Sequence, residues 1–287
     1  MMRPLMIMNC VEKSGTVIKA REDNFDTCLS LILGKSAPAP QTAGRAGEMA
    51  IALFSDLHVG RRTPSFDSRV AGERVKAYVD YLARLRDEIG TLVVLGLGDY
   101  VDGASIYPRQ EYEQEMDPNE QVDVAFEISR ELFEVADAFY GIVGNHGRTS
   151  EGEQGNYDYF FLLQAKGLMN GRANISKRHN DYFRLPNNQV VLASHPPPPR
   201  IYSYQGIPDY GIRKFAMMHV TANRELSEAY FGHFHIPKMS FEQIPIFING
   251  TFLSDDELSR MMGFASCPAQ VAVIKRGSEN IFHVIRL

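Results

Sequence analysis

The chain has 287 residues, 44% of them hydrophobic and 23% charged, enough to bury a full core in one large domain or two small ones. A formal net charge of −5 excludes a surface that holds nucleic acid by bulk charge alone, though not a local basic groove. Cys10, Cys28 and Cys267 show neither metal-ligand spacing nor an even count for disulfides, the apolar patch before Glu12 is too short for a secretory signal, and no run reaches the length of a membrane span, so the expectation is a soluble, cytoplasmic protein with no membrane partner.

Residues 1–48 are expected to form an arm and linker. Asn24–Leu33 places Phe25, Cys28, Leu29 and Ile32 on one helical face, and Lys35–Gly47 is rich in Ala, Pro and Gly. The main domain, residues 49–287, opens on the buried-strand pattern Ala50–Phe54. Ser68–Ile89 reads as a helix with Val75, Val79, Leu82, Leu85 and Ile89 on one stripe. Leu92–Leu97 is continuously apolar, the pattern of a strand covered on both faces. A second helix is predicted over Asn119–Phe139, a strand over Tyr140–Val143, a helix over Asn156–Met169, a strand over Val190–Ala193, a helix over Tyr210–Leu226 and a very short strand over Ala229–Phe231. Ile244–Phe252, Gln270–Lys275 and Asn280–Ile285 read as closing strands, the last two a hairpin through Arg276-Gly277-Ser278. Strands alternating with helices early and clustering late give a two-layered or sandwiched α/β domain.

Five of these strands end in polar residues able to bind metal: Asp56-x-His58, Gly98-Asp99-x-x-Asp102, Gly144-Asn145-His146, His195, and Gly232-His233-x-His235. Alone, each is weak, since D-x-H or H-x-H arises often by chance and a histidine after a strand is more often a satisfied core or surface residue. Together they hold five of the eight histidines, each group just past an apolar strand, where open α/β sheets place their ligands. In extended backbone, the i, i+2 spacing of Asp56/His58 and His233/His235 would turn both members of each pair to one side.

In this order the motifs resemble the calcineurin-like metallophosphoesterase superfamily, over about residues 49–287. Gly144-Asn145-His146-Gly147-Arg148, Asn156-Tyr157-Asp158-Tyr159 and Ile248-Asn249-Gly250-Thr251-Phe252 are most similar to its phage-type branch, which is itself similar to DNA repair exonucleases. The resemblance implies an α/β sandwich of two mixed β-sheets flanked by helices. It implies two divalent transition-metal ions bridged by Asp99, with Asp56, His58 and His235 completing one site and Asn145, His195 and His233 the other. The mixed nitrogen and oxygen set suits manganese first, with iron, zinc or nickel as the other candidates, over magnesium or calcium. The implied reaction is in-line attack on phosphorus by metal-bound hydroxide, with His146 protonating the leaving oxygen or stabilising the transition state.

One position departs from the commoner pattern. An acid often follows Gly-Asn-His and orients the histidine; here Gly147 and then Arg148 follow, so His146 either lacks that partner or takes one from elsewhere. Arg148 could hold a substrate phosphate, with Asn145 and His146 beside it, or make a surface salt bridge. Asp102 reads as a support or turn cap. Arg61 and Arg62 read as solvated loop charges, Tyr157 and Tyr159 as a helix face on the core, Pro196–Pro199 as a stiff connector, Lys238 and Arg213 as weak phosphate candidates, and Asp255–Glu257 as an acidic turn. His179, His219 and His283 receive no site role. The reading is a dimetal phosphodiesterase acting on DNA or RNA. Its rivals are a phosphatase or phosphodiesterase of a small nucleotide or phosphoprotein, which the acidic balance favours, and a non-catalytic polymerase- or repair-complex subunit, which the full ligand set disfavours. A homo-oligomer is left open.

Overall fold

The computed structural model describes residues 45–104, 106–107, 110–150, 155–196, 209–241, 243–254 and 267–287. The expected helix at Asn24–Leu33, the linker up to residue 44, Pro197–Pro199, the side chain of Arg213 and the turn Asp255–Glu257 lie outside what is described. Among the described residues, no helix is long and apolar enough to cross a membrane.

Two mixed sheets form the frame. The first has the order β11-β10-β1-β2-β3-β4, with β1 Arg45–Phe54, β2 Ile89–Gly96, β3 Ala138–Gly141, β4 Ala173–Ile175, β10 Ala269–Arg276 and β11 Glu279–Arg286. β1 to β4 run parallel, and the β10–β11 hairpin joins β1 antiparallel. The second has the order β5-β6-β7-β9-β8, with β5 Asn180–Arg184, β6 Val190–Ser194, β7 Leu226–Phe231, β8 Lys238–Phe241 and β9 Pro245–Ile248. Here β6, β7 and β9 are parallel and the edge strands antiparallel.

Alternation along the central strands explains why they are apolar throughout. Ala50, Ala52, Phe54, Leu92 and Val94 pack under α1 (Ser68–Glu88), α2 (Pro118–Val135) and α3 (Tyr157–Met169). The intervening Ile51, Leu53, Val93 and Leu95 meet Val191, Ala193, Tyr230 and Phe247 of the second sheet. That sheet's outer face, with Leu192, Phe231 and Ile246, lies against α4 (Asp209–Ala222) through Ala216. The result is helix, sheet, sheet, helix, with the parallel strands of each sheet covered on both sides.

Several predicted boundaries move. Residues 45–47, expected in the linker, already belong to β1, where Arg45 pairs with Ile89. α2 starts at a capping box of Asp117 and Glu120 but ends at Val135, not Phe139. Asp137 stops it: its carboxylate accepts from Leu92 N at 2.7 Å and its N–H donates to the Leu92 carbonyl, so Ala138–Gly141 continue as a strand beside β2. α4 ends at Ala222 rather than Leu226 because Asn223 turns the chain, its side chain accepting from Glu225 N at 3.0 Å. β9 stops at Ile248, and the following residues leave the sheet to dock on Asp56, through Thr251 Oγ1 at 2.9 Å and Phe252 N at 3.0 Å from its carbonyl. The short strands β4, β5 and β8 carry no pattern that the sequence reading recognised.

A buried ionic cluster ties the sheets together. Glu228 on β7 accepts from Lys275 on β10, from Asn280 on β11 at 2.9 Å and from Tyr230 at 2.6 Å. Removing one partner strands the other charge in the core. Lys275→Met is expected to lower unfolding stability by about 3–5 kcal/mol in urea denaturation, with much of the loss recovered in the Lys275→Met, Glu228→Leu pair.

Candidate metal centre

The parallel β1, β2 and β3 end along one edge of the first sheet, and β6 and β7 end along the facing edge of the second. Asp56, Asp99, Asn145, His195 and His233 follow these five ends. The loops interlock through backbone: Asp56 N donates to the Gly98 carbonyl at 3.0 Å, Leu57 N to the Asp99 carbonyl at 2.8 Å, and Gly232 N to the Ser194 carbonyl at 3.0 Å. Gly98 has φ +90°, and a Cβ there would lie 2.4 Å from Gly144 N; a Cβ on Gly144 would lie 2.1 Å from Asp99 Oδ1. Only glycines let these two loops touch.

The paired side chains converge for a different reason from the expected one. Asp56, His58, His233 and His235 are not extended; their φ values are 56°, 50°, 79° and 58°, and Asp99 has 56°. Among the described residues, five of the seven non-glycine residues with left-handed φ are thus expected metal ligands. Such backbone costs free energy, of order 1–3 kcal/mol per residue, and persists where surrounding contacts over-determine it, most often at functional sites.

Donor atoms of Asp56, His58 and His235 lie within 4.8 Å of one another, as do those of Asp99, His195 and His233. His146 lies within the same reach of His58 and Asp99. Asp99 spans the groups. Its Oδ1 accepts from His146 N at 2.8 Å, while Oδ2 lies 3.0 Å from His195 Nε2 and 4.0 Å from His58 Nε2. His195 Nδ1 donates to the Leu97 carbonyl at 2.6 Å and His58 Nδ1 to Asp102 Oδ1 at 2.9 Å, so in the neutral tautomers both Nε2 lone pairs face the centre. There His58 Nε2 meets His235 Nε2 at 3.3 Å, His195 Nε2 meets Asn145 Oδ1 at 2.9 Å, and His235 Nε2 meets Asp56 Oδ1 at 3.2 Å. Carboxylate and amide oxygens and imidazole nitrogens thus crowd around one centre, a donor set that fits two divalent ions.

The electrostatics agree. Burial alone would raise Asp99, but His195, His146 and His58 outweigh it and hold the carboxyl well below the usual range. Burial would lower His195, yet the charge and hydrogen bond of Asp99 push it up to about 9. Burial and the neighbouring His195 drop His233 to about 3. The field of the carboxylates draws positive charge into the centre.

The missing acid after His146 has a structural cause and a replacement. A Cβ on Gly147 would lie 2.5 Å from Asn156 Oδ1 and 2.9 Å from Asp158 N, so the start of α3 leaves no room for a side chain. Asp102 stands there instead: its Oδ1 is 3.1 Å from His146 Nδ1 as well as 2.9 Å from His58 Nδ1. Gln114 Nε2 donates to its Oδ2 at 2.6 Å, and Arg61, expected to be solvated, lies 3.6 Å from its Oδ1 and 2.9 Å from Glu113. Against burial, Asp99 and Asp102 raise the pKa of His146, favouring the protonated ring.

Other residues the sequence reading missed are Tyr107 and Asp158. Asn145 Nδ2 donates to Tyr107 Oη at 2.6 Å, which turns the amide oxygen toward His195, and the Tyr107 ring lies 4.8 Å from that of His146. Tyr107 stands in no motif. Asp158 lies in a segment noted only for its resemblance. Its buried carboxylate accepts four backbone N–H groups: Asp99 at 2.8 Å, Tyr100 at 3.0 Å, Val101 at 3.2 Å and Gly144 at 2.7 Å. Burial and the charge of Asp99 push it up to about 7. Arg148 Nε donates to the Asn145 carbonyl at 2.7 Å. Tyr157 and Tyr159 pack partly buried on the core, and His219 bonds Tyr182 Oη at 2.6 Å.

The sequence profile of the family described as calcineurin-like phosphoesterase matches residues 49–237. Among solved structures, the chain is similar to a conserved uncharacterised protein of Streptococcus pneumoniae, described as a predicted phosphoesterase, at 12% identity and TM-score 0.42, over 84% of this chain and 91% of that one. It is similar to Vacuolar Protein Sorting 29 of Cryptosporidium parvum at 9% identity and TM-score 0.44, over 84% and 98%. It is similar to a dimetal phosphatase of Danio rerio at 11% identity and TM-score 0.40, over 83% and 98%. A comparison with curated proteins finds no match.

Replacing Asp158 by Asn turns one acceptor oxygen into an N–H₂ group facing backbone donors. Asp158→Asn is expected to cost at least about 3 kcal/mol, read as a lower urea midpoint.

Proposed function

Because the chain belongs to the calcineurin-like phosphoesterase family, whose members are metal-dependent hydrolases, we propose that it cleaves a phosphodiester at a centre holding two divalent ions. Asp56, His58, Asp99 and His235 would hold one ion, and Asp99, Asn145, His195 and His233 the other. Manganese suits this nitrogen and oxygen set, with iron, zinc and nickel as alternatives. The observation that carries the reading is the inward-facing set of carboxylate, amide and imidazole ligand atoms, five of the residues held in left-handed backbone. Bound there, the ions supply Lewis-acid neutralisation of phosphoryl charge and acidify water.

The chain's own residues do the rest. Leu97 and Asp102 fix the tautomers of His195 and His58, keeping their Nε2 lone pairs on the centre. Tyr107 holds the Asn145 amide oxygen inward. Asp102 engages Nδ1 of His146 and leaves Nε2 to carry the proton that the leaving oxygen receives. Arg148, anchored to the Asn145 carbonyl, stands beside this position as a phosphate contact.

The substrate we favour is a nucleic-acid strand, and the branch we favour is the phage-type, repair-exonuclease-like one. Support comes from its three distinctive segments, which gather at the centre: Gly147 against α3, Asp158 under Asp99, and Thr251 on Asp56. The acidic balance of the chain favours a second reading, a small nucleotide or phosphoprotein substrate.

Metal analysis and a manganese-supplemented panel of aryl monoester, aryl diester, DNA and RNA test this. About two ions per chain and diester hydrolysis are expected; a protein that binds no transition metal overturns the reading. Asp99→Asn is expected to lose metal and hydrolysis together. His146→Ala is expected to keep its metal yet slow an unactivated diester by about 10²–10⁴-fold, with little loss on a good aryl leaving group. Full activity on the unactivated ester would show that His146 is not the acid.

A further inference from the structure

Resting on the phosphodiesterase reading, we propose that a basic cleft beside the metal centre is a subsite for a second phosphate of an oligonucleotide substrate, one removed from the bond that is cut. The cleft has a volume of about 350 Å³ and is lined by Arg148, Lys177, Arg178 and His179, with the uncharged Gly155 and Asn156 among its other walls. No carboxylate lines it among the described residues, in a chain whose net charge is −5. Lys177 and Arg178 are exposed, and no described carboxylate forms an ion pair with either.

The cleft is built on the backbone that carries the centre. Arg148 Nε donates to the Asn145 carbonyl at 2.7 Å, His195 N donates to the His179 carbonyl at 2.7 Å, and Val143 N donates to the Arg178 carbonyl at 3.3 Å. Its walls are therefore neighbours in the chain, or hydrogen-bonded neighbours, of Asn145 and His195. The cleft therefore adjoins the loops that carry Asn145 and His195, where a substrate phosphate would be held. An aryl diester has no second phosphate to place there, whereas a strand carries one on the adjoining nucleotide. Guanidinium groups match phosphate oxygens in pairs, and a local cluster supplies the attraction that the acidic surface as a whole does not. The cleft gives the enzyme a way to prefer a polyanion without a basic surface.

The test compares the wild-type chain with the Lys177→Ala, Arg178→Ala double variant, both manganese-loaded, on bis(p-nitrophenyl) phosphate, a single-stranded DNA oligomer and a nucleoside triphosphate. Binding of a fluorescent oligomer is followed separately by anisotropy in EDTA. The ratio of kcat/KM on the oligomer to that on the aryl diester is expected to fall about 10–100-fold, mainly through KM, and the slope of log affinity against log salt to become shallower by about 0.7 for the one lost phosphate contact. An unchanged ratio with unchanged anisotropy overturns the subsite. A loss confined to the triphosphate overturns the oligonucleotide assignment. If neither protein hydrolyses any ester, the phosphodiesterase reading fails, and the anisotropy arm still decides the cleft: weaker binding by the variant supports it, equal binding contradicts it.

Discussion

The structure depends on holding several buried carboxylates and imidazoles at close range around one centre. Asp99 is the clearest case. Its carboxylate is buried, sits on a left-handed residue just past β2, and has one oxygen committed to a backbone N–H while the other faces two histidines. Left to themselves, such groups would separate or take up protons. The protein prevents separation by mounting each on the end of a covered parallel strand and by cross-linking the loops through backbone hydrogen bonds and glycine contacts. The strain is local and the support is the entire sandwich.

The support is layered outward from the centre. Asp102 bonds His58 and stands 3.1 Å from His146 Nδ1, Gln114 and Arg61 stand against Asp102, and Glu113 holds Arg61. On the other side, Asp158 gathers the N–H groups of the Asp99 and Gly144 loops under one carboxylate. One acid thus stands against two histidines, and another positions two loops. The second sheet contributes His195 and His233 just past neighbouring parallel strands, so the candidate centre lies where the two sheets meet.

Much of this was legible in the chain itself. Continuous apolar runs marked the covered strands, and the polar residues just past them marked the candidate centre, because the ends of parallel strands are where such sheets place ligands. The less legible parts have physical reasons. Phe139 fits the helical spacing of α2, but the long-range bonds between Asp137 and Leu92 make it a strand residue. The pairing Asp56/His58 suggested strand alternation, whereas left-handed turns bring the side chains together, a feature without a signature in residue type. The acid that serves His146 lies 44 positions before it, in a motif already read as a metal segment, and Gly147 made sense only once α3 was seen against it. Tyr107 has no motif, and only its contact with Asn145 identifies it.

The central claim is that two cations share the Asp99 carboxylate. Anomalous diffraction from crystals grown with manganese tests it most directly. The account requires two anomalous peaks, one on each side of that carboxylate, with His58 and His235 beside one and His195 and His233 beside the other. A single peak, or peaks that Asp99 does not touch, would contradict it.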